Sequence, residues 1–266
     1  MGIESRCEDS CLHGSARDLN RLLLDPGEIS PGQEVVLDGR RARHLLEVLR
    51  VAPGAALRAG IVDGPLGTAT VIATAADTVT VRFAATTAAP PPWAVTLVVA
   101  VPRPKVLSRL IQIAAAFGVE AIHLTRSWRV DKAYLESPRL APDALALDAR
   151  LGAEQGATTT TRLPVITQHA RFMAMLDAVA VPADGRAIAL HPTTAALPAV
   201  PIERAIPPGT IAPVIAAIGP EGGWIEREVE TFAARGFAVV TLGAPVLRTE
   251  VALAAALGQL ALLLRA

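Results

Sequence analysis

Two loops near the carboxy terminus combine residue types that are common in ligand-binding sites. The first, Gly219-Pro220-Glu221-Gly222-Gly223, follows an apolar run that ends at Ile218 and precedes a predicted helix. Glycine lets a backbone approach a ligand closely, and the unpaired amides at a helix start bind anionic or polar groups. The loop is neither a GxGxxG fingerprint nor a P-loop, because no Lys-Ser/Thr pair follows. It is predicted to be a ligand site or, alternatively, a tight turn between a strand and a helix.

A similar loop follows the next predicted strand. Residues 242–250, Leu-Gly-Ala-Pro-Val-Leu-Arg-Thr-Glu, place a Gly/Pro turn before a helix whose expected N-cap is Thr249. Arg248 is a candidate for binding or catalysis, with an ordinary surface arginine as the alternative. His191 ends a third apolar run, where a histidine can be structural or catalytic. Loops that follow neighbouring parallel strands meet at one edge of the sheet, so the three are predicted to form one concave site.

Alternating strands and helices must position these loops. After residue 92 the apolar runs predict strands and the 3.6-residue periodicity predicts helices between them. Near-continuous Val/Ile/Leu/Ala strands separated by helices are typical of a mostly parallel α/β sheet covered on both faces. The predicted strands are 93–101, 121–125, 163–167, 186–191, 213–218 and 237–242, and the helices are 105–117, 141–155, 171–179, 224–234 and 249–264.

The amino-terminal part has a different pattern. Short runs at 33–38, 55–62, 67–73 and 78–83 predict strands, and residues 40–50 predict one helix between them. Together they indicate a small β-barrel or sandwich. Small residues followed by three prolines make 84–92 a predicted linker to the second part.

Composition excludes several classes of protein. The chain has 266 residues, of which 52% are hydrophobic, with 25 basic and 25 acidic side chains. These values exclude a disordered, collagen-like or disulfide-stapled chain and a uniformly basic nucleic-acid coat. The longest apolar run, 251–264, is too short to cross a bilayer, and no signal-peptide core is visible, so a cytoplasmic location is predicted. Cys7, Cys11 and His13 lack a fourth ligand, and no metal site is predicted.

The motifs IGPEGG (218–223), LG-x-x-VLRTE (242–250) and LHP (190–192) resemble the ribosomal RNA small subunit methyltransferase E family of the SPOUT superfamily. The resemblance extends over residues 20–265. In the amino-terminal part, Asn20-Arg21-Leu22-Leu23, residues 44–50 and Val62-Asp63-Gly64 are similar to the PUA-like barrel of that family.

The resemblance implies an S-adenosylmethionine-dependent enzyme that methylates N3 of a uridine in small-subunit (16S) ribosomal RNA. It implies a parallel sheet with a trefoil knot, and a homodimer formed through the knot region. The corresponding domains are an amino-terminal extension (1–19), a PUA-like RNA-binding β-barrel (20–89) and a SPOUT methyltransferase domain (93–266). The implied cofactor-binding residues are Leu190, His191, Ile218, Gly219, Pro220, Glu221, Gly222, Gly223, Leu242, Gly243, Val246, Leu247, Arg248 and Thr249.

Uracil N3 carries a proton and is a poor nucleophile until that proton leaves, so the reaction requires a base or a cation that stabilises the uracil anion. Arg248 is the candidate for the electrostatic role. Glu221 is the candidate proton acceptor, with capping of its own helix as the alternative. Predicted RNA contacts are Arg21, Arg41, His44, Arg50, Lys105, Arg126, Glu154, Gln155 and Arg162, and a solvated charged face is the alternative for each basic cluster.

The sequence departs from the family pattern in places. Gln112-Ile113 and Phe117-Gly118 replace a lysine and a glutamate, and residues 156–161 lack an expected arginine. Two alternatives therefore stay open: a SPOUT enzyme with a different RNA target, or a non-catalytic RNA-binding or ribosome assembly factor.

Overall fold

The computed structural model describes residues 21–30, 32–88, 91–156, 160–194 and 197–264. The predicted extension 1–19, with Cys7, Cys11 and His13, lies outside these ranges. Two sheets account for the strands in the described ranges, and each has its own hydrophobic core. Leu23 and Leu24 are adjacent in the first strand and belong to different cores, because successive side chains of a strand point to opposite faces.

The amino-terminal sheet has five strands in the order β1-β3-β4-β5-β2. Only the β1–β3 pair is parallel among these strands. A short helix α1 (Gly39–Arg43) continues into a π-helical turn (His44–Val48) and packs Leu45 into the core. The strands are β1 (Leu22–Leu24), β2 (Glu34–Leu37), β3 (Ala56–Ile61), β4 (Leu66–Thr74) and β5 (Val79–Thr87).

The predicted linker 84–92 was partly wrong, because β5 continues to Thr87. Ala84 pairs with Thr68 and Ala85 pairs with Gly67, and after a register shift Thr87 pairs with Leu66. A Cβ atom on Gly67 would lie only 2.1 Å from the Ala84 carbonyl oxygen, so glycine makes this close approach possible. Small side chains that resemble a linker in composition therefore complete a strand ladder.

The second sheet confirms the predicted parallel α/β architecture. Its seven strands have the order β10-β12-β9-β11-β6-β7-β8, and every pair is parallel. The strands are β6 (Trp93–Ala100), β7 (Val119–Thr125), β8 (Val165–His169), β9 (Arg186–Leu190), β10 (Val200–Pro201), β11 (Val214–Ile218) and β12 (Ala238–Thr241). The helices are α2 (Pro104–Phe117), α3 (Lys132–Leu135), α4 (Pro142–Gly156), α5 (Phe172–Ala178), α6 (Ile202–Ala205), α7 (Glu226–Ala234) and α8 (Thr249–Leu263). In the described ranges, no helix is both long and apolar enough to cross a membrane.

Helix α4 joins the two sheets. Glycine brings it close to α2, since a Cβ on Gly152 would lie 2.1 Å from the carbonyl oxygen of Gln112. The exposed end of α4 then reaches the amino-terminal unit. Arg150 donates to both carboxylate oxygens of Asp25, at 2.7 and 2.8 Å, and the Glu154 backbone carbonyl accepts a hydrogen bond from the amide of Arg21 at 2.8 Å.

Candidate functional site

A pocket of about 460 Å³ lies at the carboxyl ends of β9, β11 and β12, which are neighbours in the sheet. The predicted loops 190–192, 218–223 and 242–249 form much of its wall. Of the residues expected to bind a cofactor, the structure brings all except Arg248 to this pocket. They are Leu190, His191, Ile218, Gly219, Pro220, Glu221, Gly222, Gly223, Leu242, Gly243, Val246, Leu247 and Thr249.

The 218–223 loop turns tightly because its glycines allow it. Gly223 has a φ of 71°, in the left-handed region, and its amide donates to the Pro220 carbonyl at 2.8 Å. A Cβ on Gly219 would lie 3.1 Å from the Trp224 amide nitrogen and 3.3 Å from the Gly223 backbone. The pocket wall at Gly219 is therefore bare backbone, which a side chain would fill or displace.

Trp224 forms an apolar wall that was not among the predicted site residues. It is 2% exposed and contacts Phe232 with ring centroids 5.0 Å apart. Its buried indole Nε1 makes no hydrogen bond to any described residue. The pocket therefore offers glycine backbone and apolar surface, which fits a ligand with polar and apolar parts. The sequence signal that could have identified Trp224 is its position directly after the IGPEGG motif.

Sequence and fold comparisons identify the family to which the chain belongs. Residues 89–261 match the family model described as the RNA methyltransferase domain. The chain belongs to this RNA methyltransferase family. It is 29% identical to the ribosomal RNA small subunit methyltransferase E of Treponema pallidum (strain Nichols) over 251 residues, covering 90% of this chain and 89% of the relative.

Solved structures of other methyltransferases have the same fold. One is the ribosomal RNA small subunit methyltransferase E of Neisseria gonorrhoeae bound to S-adenosylmethionine, with 27% identity, a TM-score of 0.71 and coverage of 91% of this chain and 96% of that one. Another is a Legionella pneumophila methyltransferase bound to the same cofactor, with 25% identity, a TM-score of 0.71 and coverage of 90% and 96%. Together with the sequence match, they confirm the resemblance to the methyltransferase E family.

Arg248 differs from the other residues that were expected to bind the cofactor. Helix α8 begins at Thr249, which is buried, and Arg248 occupies the N-cap position that was predicted for Thr249. The Arg248 side chain is exposed and makes no hydrogen bond or ion pair in the described part of the chain. Arg248 therefore lies between the pocket residues Leu247 and Thr249 in sequence but does not itself line the pocket.

Glu221 does not cap its own helix, contrary to the alternative considered from the sequence. Helix α7 begins at Glu226, and the carboxylate that caps it belongs to Glu228, which accepts from the Ile225 amide at 3.0 Å. Glu221 Oε1 instead accepts from the backbone amide of Arg103 at 2.9 Å, just before α2. Its other oxygen, Oε2, has no hydrogen-bond partner among the described residues, so one oxygen anchors the side chain beside the pocket and the other is available.

A second cavity, of about 340 Å³, lies between α4 and the amino-terminal sheet, and we call it the junction cavity. It has an apolar floor of leucines and a rim of charged side chains. Burial, followed by the nearby charge of Arg58, lowers the pKa of Arg21. Five of the predicted RNA contacts line the cavity: Arg21, Arg41, His44, Glu154 and Gln155.

The junction cavity does not hold every predicted RNA contact. Glu154 pairs with Arg40, with Nη2 and Oε2 2.7 Å apart, and with Arg150 at 3.4 Å, so its carboxylate stabilises the junction. Arg41 is likewise paired with Glu28. The remaining predicted contacts lie elsewhere on the exposed surface: Arg50, Lys105, Arg126 and Arg162.

Proposed function

We propose that the protein uses S-adenosylmethionine to methylate N3 of a uridine in small-subunit (16S) ribosomal RNA. The observation that carries this proposal is the convergence of the IGPEGG, VLRTE and LHP segments on one pocket at the carboxyl edge of the parallel sheet. The two structural relatives described above contain this cofactor. When bound, the cofactor supplies an electrophilic methyl group on a sulfonium sulfur.

The chain's own residues have several tasks in this reaction. The backbone around Gly219, Gly222 and Leu242 holds the cofactor, and Trp224 and Val240 exclude water from one side of it. Glu221 Oε2 accepts the proton from uracil N3, and the hydrogen bond from the Arg103 amide holds the carboxylate in position.

Arg248 supplies positive charge at the pocket entrance, where the N3 anion forms. The methyl group then passes to N3, which gives N3-methyluridine and S-adenosylhomocysteine, and the proton remains on Glu221. Holding the two reactants in line contributes much of the rate, because it removes the entropy cost of their encounter.

The RNA approaches across exposed basic side chains on the carboxyl-edge side of the molecule and around the junction. Arg126 and Arg129 lie in the segment after β7, and Lys105 lies in the first turn of α2, two residues after the Arg103 amide that contacts Glu221. Such groups contact phosphates and position the RNA, while the target base is unstacked to enter the pocket.

We further propose that two copies associate through the last loop and α8. Val246 in the pocket loop is 80% exposed, and Val251 and Leu262 on α8 are 46% and 62% exposed, so both elements present apolar side chains that a second copy could cover. Leu262→Asp is expected to give a monomer in light scattering, and an unchanged mass would refute this interface.

The proposal also includes the trefoil knot, the PUA-like nature of the amino-terminal unit at 20–89, the SPOUT domain at 93–266 and a cytoplasmic location.

Calorimetry and nucleoside mapping test the function. Micromolar binding of S-adenosylmethionine supports an enzyme, and absence of binding would favour an assembly factor. The deciding experiment is mass-spectrometric mapping of ribosomal RNA from a strain that lacks the gene, with and without a plasmid copy. Loss of one N3-methyluridine, restored by the plasmid, is expected. Loss of a ribose methyl group instead would favour another SPOUT activity.

A further inference from the structure

Trp128 is exposed in a way that the other tryptophans are not. Its side chain is 81% exposed, whereas Trp224 is buried and Trp93 stacks on Phe117. Burial of the large apolar area of an indole stabilises the folded state, so an exposed tryptophan contributes little of this stabilisation. Exposure alone does not define a site, and what distinguishes Trp128 is the segment that carries it.

The segment is fixed from beneath by Glu228. This buried carboxylate accepts from the Trp128 amide at 2.9 Å and from the Ser127 hydroxyl at 3.2 Å. Ser127 and Val130, on either side, are themselves buried. The backbone under the indole is therefore already ordered, and a partner that contacts the ring loses little additional backbone entropy.

The same segment forms part of the pocket wall. Arg129 lines the pocket, and its Nη1 donates to the Gly222 carbonyl at 2.5 Å. Trp128 therefore stands one residue outside the methyl-donor pocket. Three exposed cationic side chains lie close to it in sequence, namely Arg126, Arg129 and Lys132. The one exposed carboxylate among them, Asp131, caps α3 by accepting from the Ala133 amide at 3.0 Å, which leaves a net positive segment.

This combination matches the chemistry of single-stranded nucleic acid. Flat aromatic rings stack with unpaired bases, and guanidinium groups contact the phosphates between them. We propose that Trp128 is a stacking platform for an unpaired base of the RNA substrate, adjacent to the uridine that enters the pocket. This inference rests on the proposed function, and it assigns Trp128 a positioning role outside the reacting atoms.

Binding to oligouridylate and to small-subunit ribosomal RNA tests the platform, with Trp128→Ala and Trp128→Phe as variants. Stacking on one aromatic side chain corresponds to about 5- to 150-fold in affinity, so Trp128→Ala is expected to weaken RNA binding within that range. Trp128→Phe keeps a ring and is expected to retain most of the affinity. RNA should quench the exposed tryptophan fluorescence of the wild type, and the quenching should be lost in Trp128→Phe.

The control is Ile211→Ala, which removes another exposed apolar side chain (86%) just before β11, at the opposite end of the sheet from the pocket. It should leave RNA affinity unchanged. S-adenosylmethionine affinity should be the same in all variants. Wild-type RNA affinity in Trp128→Ala would overturn the inference. A Trp128→Ala variant that binds RNA normally but changes its oligomeric state would assign Trp128 to a protein interface instead. Absence of methyl transfer by the wild type would instead refute the proposed function, since the binding measurements need no catalysis.

Discussion

The pocket at the carboxyl edge and the junction cavity differ in how their walls are made. Loops that directly follow β9, β11 and β12 surround the pocket, and much of the wall is glycine and proline backbone. The junction cavity is lined by side chains from β1, α1, β3 and α4, where Arg40 meets Glu154 across 114 residues of sequence. A pocket lined by backbone depends on particular residues at adjacent positions in the sequence. A cavity lined by side chains depends on tertiary contacts between distant segments.

The difference extends to electrostatics. In the pocket, the closest contacts of the ionisable residues are to backbone groups: Glu221 to the Arg103 amide, Arg129 to the Gly222 carbonyl and His191 to the Pro192 carbonyl. The ion pair of Glu221 is long, with the Arg103 Nε 3.8 Å from Oε1. At the junction, Arg150 is tied to Asp25 and Glu154 carboxylates. The pocket thus leaves room for the charge of a ligand and of a developing anion, while much of the junction charge stabilises the contact between the two sheets.

The largest effect is expected for Arg248→Ala, which tests whether catalysis at a pocket built mainly from backbone requires the Arg248 side chain. Removing a group that stabilises developing charge costs about 10²–10³ in turnover, so Arg248→Ala should lower kcat by that factor. S-adenosylmethionine affinity should change little, because the guanidinium lies outside the pocket lining. Arg227→Ala, which removes an exposed arginine on α7, is the matched control. If Arg248→Ala methylates unmodified substrate RNA at the wild-type rate, Arg248 has no role in the mechanism.

The next test changes the backbone wall itself. Gly219→Val places a branched side chain where even a Cβ lies 3.1 Å from a backbone nitrogen, so the loop must shift or the pocket must fill. S-adenosylmethionine affinity is expected to fall about 100-fold or more, equivalent to about 2.7 kcal/mol. Gly27→Val is the control, since no atom lies within 4 Å of a Cβ there. Wild-type affinity in Gly219→Val, measured by calorimetry, would contradict a cofactor site at this loop.

The same contrast explains what could be predicted from the sequence. The parallel sheet was predictable because β11 and its neighbours are continuous apolar runs, and the pocket because its glycine loops follow those runs directly. Arg129 was missed as a pocket residue, since nothing in its local sequence reveals that it reaches Gly222, 93 residues away. The salt bridges of Glu154 were missed for the same reason. The continuation of β5 through Ala84–Thr87 was missed because alanine and threonine next to prolines resemble a linker in composition.

A third test weakens the junction and leaves the pocket alone. Arg150 is mostly buried and donates to Asp25, Glu154 and the Leu23 carbonyl. Arg150→Met keeps the apolar stem but removes the charged donor that Asp25, Glu154 and the Leu23 carbonyl share, and of these only Glu154 keeps a short bond, to Arg40. The expected cost is about 2–3 kcal/mol. Tm should fall by about 2–4 °C for each kcal/mol, while S-adenosylmethionine affinity stays at the wild-type value. The exposed Arg139→Met should not change Tm. A loss of cofactor affinity in Arg150→Met would show that the two regions are coupled.

The smallest expected effect is on the pH dependence of stability, which should differ between the parallel-sheet unit and the amino-terminal unit. His123 Nδ1 and His169 Nε2 lie 2.9 Å apart on β7 and β8, in the parallel-sheet unit. Burial lowers the pKa of His123, with a further contribution from His169, and burial also lowers the pKa of His169. At the amino-terminal unit, the hydrogen bond from Arg41 lowers the pKa of Glu28.

These shifts act in different pH windows. Below about 6.5 the unfolded histidines bind protons that the folded pair resists, so stability falls until the folded pair also protonates. The contribution of Glu28 is complete above about 4.5 and is lost as pH falls from there through its folded pKa. Tm measured against pH should therefore fall in two stages. His169→Gln should reduce the first stage and Glu28→Gln the second. Equal slopes between pH 7 and about 5.5 for wild type and His169→Gln would show that the histidine pair does not set the acid sensitivity of the parallel-sheet unit.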